Sequence, residues 1–289
     1  MKVLITGCNG QVGYCLVQQL NDLADVLALD SSELDITDEN KVISTVNNFK
    51  PDFIINAAAY TSVDKAESEE LLPYSINRDG PQYLAQAANS VGAVIFHIST
   101  DYVFEGNKKG QYNELDITNP QGVYGASKLA GELAVAKYCP RHIILRTAWV
   151  FGEHGNNFVK TMLRLAKDRD ALSIVGDQFG GPTYAGDIAT GLLNIIKAIR
   201  ADNKAWGVYH LSGEPHVSWF EFAEAIFEQA DKQNLINRKP VLTAITTEQY
   251  PTPAKRPENS KLNCKKIIET FGVKPSDWQQ AIKRIKEYK

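Results

Sequence analysis

Residues 2–13 read KVLITGCNGQVG, and this stretch decides the fold. The apolar run Val3–Ile5 predicts a buried first strand, and the helical spacing of apolar residues from Val12 onward predicts a helix directly after it. Glycines in the turn between them let backbone N–H groups approach a ligand closely, and the helix N-terminus carries partial positive charge. We therefore expect the turn to bind the pyrophosphate of a dinucleotide, although its spacing is G-x-x-G-x-x-G rather than G-x-G-x-x-G. The candidate residues are Gly7, Asn9, Gly10, Gln11, Val12 and Gly13.

Strand-like and helix-like segments alternate through the first half of the chain. Apolar runs predict strands at 25–29, 52–56, 93–99 and 142–146, and helical patterns lie at 41–49, 81–91 and 124–138. Strands that alternate with helices form a parallel sheet covered on both faces, and ligands bind beyond the carboxyl ends of its strands. The predicted fold class is therefore α/β, with a Rossmann-type doubly wound parallel sheet.

The second half of the chain is less regular. Helical patterns lie at 158–167, 187–200, 218–230 and 277–288, and short strands are predicted at 172–175, 208–211 and 241–245. Residues 180–182 are expected to form a tight turn, and the proline-rich residues 250–257 a loop. We expect an NAD(P)-binding domain over residues 1–150, with return segments near 183–212. A smaller C-terminal α/β region for the substrate would comprise residues 151–182 and 213–289.

The composition narrows the choice of partners and compartment. The formal net charge is −3, which gives no reason to expect binding to nucleic acid or to a membrane surface. No apolar run approaches the roughly 20 residues that span a bilayer. The four cysteines form no C-x-x-C pair, and the five histidines form no cluster in the sequence. We therefore expect no metal site and a reducing, cytoplasmic location.

Two motifs in the middle of the chain carry the candidate chemistry. Tyr124 and Lys128 are four residues apart on a predicted helix, so they share one face and the ammonium can lie near the phenol. Because a nearby cation favours the phenolate, we expect Lys128 to lower the pKa of Tyr124 and to assist proton transfer. Thr100, at a strand end, supplies a neutral hydroxyl that could hold a carbonyl oxygen beside this phenol. The alternative is an exposed amphipathic helix, which produces the same spacing by chance.

Residues at other strand ends are candidates for cofactor contacts, and each has an alternative. Asp30 ends the second strand, where an acidic residue accepts hydrogen bonds from the adenosine ribose, but it could instead form a turn. Asp35 and Ile36 could flank the adenine, or Asp35 could belong to a helix cap. Ala57–Ala59, followed by Tyr60, have side chains small enough for close approach to a cofactor, although a helix start would look similar.

Further polar and aromatic residues are equally open to two interpretations. Asn77 and Arg78 could belong to the site or form a polar pair that flanks a helix. Trp149, just after the fifth strand, could be an aromatic wall against a sugar or base, or a core residue. Arg256, in the proline-rich loop, could contact a phosphate with two hydrogen bonds or be a solvated loop arginine.

Taken together, these motifs resemble those of an extended short-chain dehydrogenase/reductase. The resemblance rests on Gly7–Gly13, Asn56–Tyr60, Ser99–Phe104, Tyr124–Lys128 and Gly131–Glu132. The chain is also similar to a narrower group in that family, the reductases of 4-keto nucleotide sugars. That likeness rests on Leu34–Asp38, Ala59–Glu67, Arg146–Gly152 and Arg256–Pro257. The resemblance covers essentially the whole chain.

The resemblance implies a reaction and a role for each site. The cofactor would be NADPH or NADH, and the reaction would reduce the 4-keto group of a 6-deoxy sugar carried on a nucleoside diphosphate. Thr100, Tyr124 and Lys128 would be catalytic, and Tyr124 and Lys128 would also contact the cofactor. The residues expected to bind the substrate are Val63, Thr100, Asp101, Tyr102, Trp149 and Arg256.

Two positions depart from the pattern of the narrower group. Some members bind Mg²⁺ through glutamates at a dimer interface, whereas the matching positions here are Cys15 and Gly186. Neither is a good ligand for a cation that prefers oxygen. We therefore doubt the Mg²⁺ site and expect a monomer or a weak homodimer.

Other functions remain open within and outside the family. A different nucleotide-sugar 4-reductase would share these motifs, and so would an epimerase, which recycles its cofactor. A dehydratase would carry glutamate where Tyr102 stands. From another class, a non-catalytic regulatory subunit such as that of methionine adenosyltransferase has a similar fold. Retention of Thr100, Tyr124 and Lys128 together favours an enzyme.

Overall fold

A parallel six-stranded sheet forms the centre of the protein, whose computed structural model describes residues 1–288. Its strands, in chain order, are β1 (Lys2–Thr6), β2 (Asp25–Leu29), β3 (Phe53–Asn56), β4 (Val94–Thr100), β5 (His142–Thr147) and β10 (Gly207–His210). Their spatial order is β10-β5-β4-β3-β1-β2, and every neighbouring pair is parallel. This arrangement confirms the predicted fold class, a doubly wound α/β sheet.

Helices cover both faces of this sheet. They are α1 (Gln11–Leu20), α2 (Glu39–Phe49), α3 (Val63–Ala66), α4 (Leu71–Tyr74), α5 (Gly80–Val91), α6 (Val123–Tyr138), α7 (Phe158–Leu165), α8 (Ala185–Arg200), α9 (Trp219–Lys232), α10 (Lys265–Phe271) and α11 (Trp278–Ala281). Successive side chains of β1 point to opposite faces, as strand geometry requires. Val3 and Ile5 pack in the core that includes α1 and α8, and Leu4 packs in the core that includes α2 and α5.

The remaining strands are short and lie in the second half of the chain. They are β6 (Val150–Phe151), β7 (Ala171–Val175), β8 (Phe179–Gly180), β9 (Thr183–Tyr184), β11 (Val217–Ser218), β12 (Val241–Ile245) and β13 (Asn259–Ser260). They form small sheets that pair β6 with β9, β7 with β12, and β8 with both β11 and β13. A separate apolar core joins α7, α9 and α11 around Phe222 and Trp278. No helix among residues 1–288 is long and apolar enough to cross a bilayer.

The main strands lie within one residue of their predicted bounds, but two local predictions were wrong, the turn at 180–182 and the helix at 277–288. Residues 180–182 are not a tight turn: Gly180 ends β8, and a Cβ there would lie 2.6 Å from Trp149 Cε2. The helix predicted at 81–91 is confirmed as α5, and α4 continues into it through a π-helical turn, Ser75–Asp79. The helix predicted at 277–288 is α-helical only in α11, and a distorted 3₁₀-helix, Ile282–Glu287, follows it.

Candidate active site

The glycine-rich turn packs backbone against backbone at the carboxyl ends of β1 and β3. Gly7 has φ +70°, and a Cβ on it would lie 2.6 Å from the Ala58 nitrogen. A Cβ on Gly13 would lie 2.2 Å from the Gly7 carbonyl oxygen. Both positions therefore require glycine, and the turn delivers the chain from β1 into the first turn of α1 at Gln11.

A cavity of about 550 Å³ begins at this turn and runs along the carboxyl edge of the sheet. Residues Gly10–Val12 line one end, and the small side chains of Ala57 and Ala59 lie along it. The wall also includes Thr100, Tyr124 and Lys128. An exposed helix face with chance Y-x-x-x-K spacing would not place these groups in one cavity. The volume and the lining by the glycine-rich turn fit a dinucleotide, with its pyrophosphate at the N-terminus of α1.

The three candidate catalytic side chains line this same cavity. Tyr124 lies in the first turn of α6, and Lys128, one turn later, is 2% exposed. The Lys128 ammonium donates a hydrogen bond to the Ile98 carbonyl oxygen at 2.6 Å. Thr100 ends β4, where its hydroxyl accepts from the Tyr102 N–H and donates to the Asp101 carboxylate. The structure thus brings the strand end and the helix face together, as the sequence predicted.

Burial dominates the electrostatics of these groups. It raises the pKa of Tyr124, an effect that the nearby Thr100 hydroxyl opposes and that the Asp101 charge reinforces. Burial also lowers the pKa of Lys128 to about 8, although the Glu132 carboxylate counteracts part of this shift. The expected effect of Lys128 on the pKa of Tyr124 is not seen here, because Lys128 is not among the groups that shift it and the cost of desolvating a phenolate dominates. The phenol is protonated at neutral pH, which suits a proton donor.

A buried ion pair joins α6 to β5 next to the site. Arg146, near the end of β5, and Glu132, on α6, approach to 2.7 Å, and their side chains are 5% and 4% exposed. The Ser99 hydroxyl donates a hydrogen bond to the same carboxylate at 2.5 Å. Sequence reasoning used Glu132 only as part of a motif and gave it no role. The available signal was its spacing, four residues beyond Lys128 on the same helix face.

Asn77 holds the loop after β3 in place. Its side chain accepts a hydrogen bond from the Tyr60 N–H at 2.9 Å and donates to the Tyr60 carbonyl oxygen and to the Ser127 hydroxyl. Asn77 is buried in the π-helical turn, a distortion that often marks functional sites. Arg78 instead pairs with Asp79 at the surface, so the flanking-pair interpretation applies to Arg78 and not to Asn77.

The predicted adenosine contacts have partners of their own within the protein. Asp30 is partly exposed and accepts hydrogen bonds from Ser32 and from the Asn9 side chain, so it does form the turn. Asp35 accepts from the backbone and hydroxyl of Thr37 in a turn that precedes α2, whose N-cap is Asp38. Ile36 is 5% exposed and belongs to the core that includes α2 and α5. Contacts of these residues with a cofactor stay predictions.

A second cavity, of about 680 Å³, adjoins the first. Trp149 and Tyr102 line both cavities, and the Trp149 ring stacks on Trp219 with centroids 3.6 Å apart. Trp149 is thus a partly buried aromatic wall held by a second ring, at a strained φ of +51°. Sequence reasoning missed Trp219, because an aromatic residue at the start of an amphipathic helix looks like a core residue.

Arg256 also lines the second cavity, and it is not a solvated loop arginine. Its guanidinium contacts the Asp64 carboxylate at 2.5 Å and the Tyr102 hydroxyl at 3.2 Å. Asp64, rather than the predicted Val63, appears in the wall of this cavity. Asp101 lines the first cavity, and burial raises the pKa of its carboxyl to about 6.

The structure describes no grouping of metal ligands at this end of the molecule or elsewhere. Within residues 1–288, no three His, Cys, Asp or Glu side chains lie close enough together to hold a metal ion. Near Gly186, the Tyr184 hydroxyl hydrogen-bonds the Glu153 carboxylate, which also approaches Arg284.

The fold and the site define a class of protein. A doubly wound parallel sheet, a glycine turn at the first helix, and a buried Tyr–Lys pair beside a strand-end threonine form the architecture of a short-chain dehydrogenase/reductase. The chain matches the family model of the RmlD substrate binding domain over residues 1–288, and it belongs to that family.

Individual relatives agree with this assignment. The chain is 55% identical to the dTDP-4-dehydrorhamnose reductase of Aggregatibacter actinomycetemcomitans, over 99% of each chain. Among solved structures, a dTDP-4-dehydrorhamnose reductase of Clostridium acetobutylicum is 43% identical and superimposes with a TM-score of 0.91, over 98% of each chain. The dTDP-4-dehydrorhamnose reductase of Bacillus anthracis in complex with NADP is 38% identical, with a TM-score of 0.89, over 98% of this chain and 97% of that one.

Proposed function

We propose that the protein reduces the 4-keto group of dTDP-4-dehydro-L-rhamnose to give dTDP-L-rhamnose, with NADPH or NADH as cofactor. The observation that carries this proposal is the convergence of Thr100, Tyr124 and Lys128 in a cavity that begins at the glycine turn. The second cavity, which shares Tyr102 and Trp149 with the first, supplies room for the nucleotide sugar. The relatives that match over the whole chain are named for this reaction.

The cofactor would lie along the first cavity, and when bound it supplies the hydride. The turn from Gly7 to Gly13 would hold the pyrophosphate, and Ala57–Tyr60 would lie along the chain of the dinucleotide. Asp30, Asp35 and Ile36 would lie at the adenosine end. The buried ammonium of Lys128, fixed by the Ile98 carbonyl oxygen, would donate a hydrogen bond to the nicotinamide ribose.

The chain's own groups would then handle the proton and the developing negative charge. Tyr124 holds its proton because burial raises its pKa, and it would donate that proton to the substrate carbonyl oxygen as negative charge develops there. The Thr100 hydroxyl would hydrogen-bond the same oxygen and fix its position. Trp149, with Tyr102 and Asp101, would close the cavity against water, since a desolvated site strengthens these electrostatic contacts.

The second cavity would hold the rest of the nucleotide sugar. Arg256 would contact the diphosphate, because its planar guanidinium matches phosphate oxygens with two parallel hydrogen bonds. The stacked rings of Trp149 and Trp219 would form an aromatic wall. Val63 would lie near the sugar, because the next residue, Asp64, lines this cavity. Most of the residues that line this cavity lie in 151–182 and 213–289, which supports the proposal that these segments bind the substrate.

A direct assay of NADPH oxidation and product formation tests the proposed reaction. The purified protein is incubated with NADPH and dTDP-4-dehydro-L-rhamnose, and both nicotinamide absorbance and the nucleotide-sugar product are followed. We expect oxidation of NADPH that depends on the keto sugar, with dTDP-L-rhamnose formed in equal amount. Conversion of the sugar without net NADPH oxidation would instead indicate an epimerase. No conversion at all would favour a regulatory subunit.

The buried ammonium predicts a pH dependence. We expect kcat/KM for NADPH to fall as the pH rises through about 8, because the pKa of Lys128 is lowered to that value and the free enzyme then loses the ammonium. The measurement is a pH profile of initial rates. In Lys128→Arg the falling limb should disappear, even if all rates are lower, because a guanidinium keeps its charge. A wild-type profile that stays flat well above this pH would contradict the assignment.

We also propose a cytoplasmic enzyme that is a monomer or weak homodimer. The structure leaves Cys8, Cys15, Cys139 and Cys264 as free thiols, which fits a reducing compartment. Size-exclusion chromatography over a range of concentrations, with and without Mg²⁺, would measure the oligomeric state.

A further inference from the structure

Asp64 is a carboxylate in the wall of the cavity proposed to receive an anionic substrate. It lies in α3, and both of its oxygens accept hydrogen bonds from a segment far along the chain, residues 250–257. Oδ1 accepts from the Ala254 N–H at 3.2 Å, and Oδ2 accepts from Arg256 Nη2 at 2.5 Å. One side chain of the cofactor-binding half therefore ties down two groups of the C-terminal loop.

The contact continues toward the catalytic tyrosine. Arg256 Nη1 donates a hydrogen bond to the Tyr102 hydroxyl at 3.2 Å. The Tyr102 ring in turn packs edge-on against Tyr124, with centroids 5.4 Å apart. Asp64 thus lies at the outer end of a chain of contacts that passes through Arg256 and Tyr102.

Neither charge nor stability explains an acidic residue at this position. A negative charge in the wall repels a diphosphate, so it weakens anion binding if it acts through charge alone. The pair is also partly solvated, with the Asp64 and Arg256 side chains 42% and 20% exposed, so it contributes little to folding. The remaining explanation is that Asp64 orients the Arg256 side chain. A guanidinium has five N–H donors, and the contacts with Asp64 and Tyr102 use one on each Nη, so further donors remain for phosphate oxygens.

We propose that Asp64 is a positioning residue for substrate binding: it holds Arg256 and residues 250–257 in the orientation that receives the diphosphate of the nucleotide sugar. The inference rests on the proposed function for the identity of the substrate. Its energetic origin is pre-organisation, because a loop fixed before binding loses less conformational entropy when the ligand arrives.

The test compares Asp64→Asn with the wild type, using dTDP as the ligand. We expect the Kd for dTDP, measured by calorimetry, and the KM for the keto sugar to rise about tenfold, with kcat nearly unchanged. The Kd for NADPH, measured by fluorescence, should not change. The matched control is Glu70→Gln, which removes one negative charge from an exposed residue of the same segment and should leave all four values as in the wild type.

Two further variants separate orientation from charge. Asp64→Glu keeps the charge but shifts the carboxylate by one methylene, so it should weaken dTDP binding nearly as much as Asp64→Asn. In the Arg256→Gln background, Asp64→Asn should have almost no further effect on the Kd, because the two residues act as one unit. The Asp64→Glu measurement also decides the question if Asp64→Asn folds poorly, which thermal unfolding would reveal.

Several outcomes would overturn the inference. One is unchanged or tighter dTDP binding in Asp64→Asn; another is additivity with Arg256→Gln. Failure of the wild type to bind dTDP would also overturn it. Binding of dTDP needs no turnover. A protein that binds dTDP through Asp64 but reduces no keto sugar would therefore contradict the proposed reaction without contradicting this inference.

Discussion

Tyr124→Phe is expected to lower kcat for the keto sugar by about 10²- to 10⁴-fold, the range typical for loss of a positioned general acid. The substitution removes only the phenolic oxygen, which burial keeps protonated at neutral pH and which lies beside the Thr100 hydroxyl. Cofactor binding should survive, because the glycine turn and Lys128 are untouched. The measurements are steady-state kinetics with the keto sugar and a fluorescence titration with NADPH.

A matched control shows whether the effect is specific to this phenol. Tyr83→Phe removes the same oxygen from a partly buried tyrosine on α5 and should leave kcat as in the wild type. Turnover by Tyr124→Phe at the wild-type rate would remove this residue from the mechanism. Loss of NADPH binding together with kcat would instead assign Tyr124 to cofactor binding.

The largest effect on stability is expected from Glu132→Gln. The change leaves the Arg146 guanidinium without its counter-charge in a site where both side chains are about 5% exposed or less. Removing one partner of a buried pair costs about 3–5 kcal/mol of unfolding free energy, because the remaining charge stays desolvated and unpaired. Urea denaturation followed by circular dichroism measures the change, and the unfolding midpoint should fall accordingly.

The double variant Glu132→Gln/Arg146→Met tests the reason for this loss. With the unpaired charge also removed, part of the stability should return, since an apolar side chain of similar length tolerates burial. If Glu132→Gln alone cost less than about 1 kcal/mol, the pair would behave like an exposed one, and the buried-charge argument would fail.

Much of the fold and site could be predicted from local pattern. The apolar runs and helical spacings predicted the main strands closely, because buried parallel strands and amphipathic helices have distinct periodicities. The glycine turn and the Tyr124/Lys128 pair were also recognisable, since each depends on residues a few positions apart. The rule that parallel strands bind ligands at their carboxyl ends then predicted that Thr100 would meet them.

The roles of single residues depended on distant contacts. Trp149 could be assigned to a cavity wall only because Gly180 makes room for its indole and Trp219 stacks on it. Asn77 proved to hold the Tyr60 backbone, and Arg256 proved to be paired with Asp64. Such partners are separated by many residues, so no local pattern in the chain announces them.

The sequence by itself determined the succession of strands and helices along the chain, the glycine turn and the spacing of the catalytic pair. These features follow from backbone geometry over short stretches. Only the tertiary structure decided which protonation states the site favours. Burial raises the pKa of Tyr124 and lowers that of Lys128, against the expectation from their spacing alone. The physical reason is that desolvation depends on everything packed around a group, whereas the spacing of two residues determines only how near to each other they can lie.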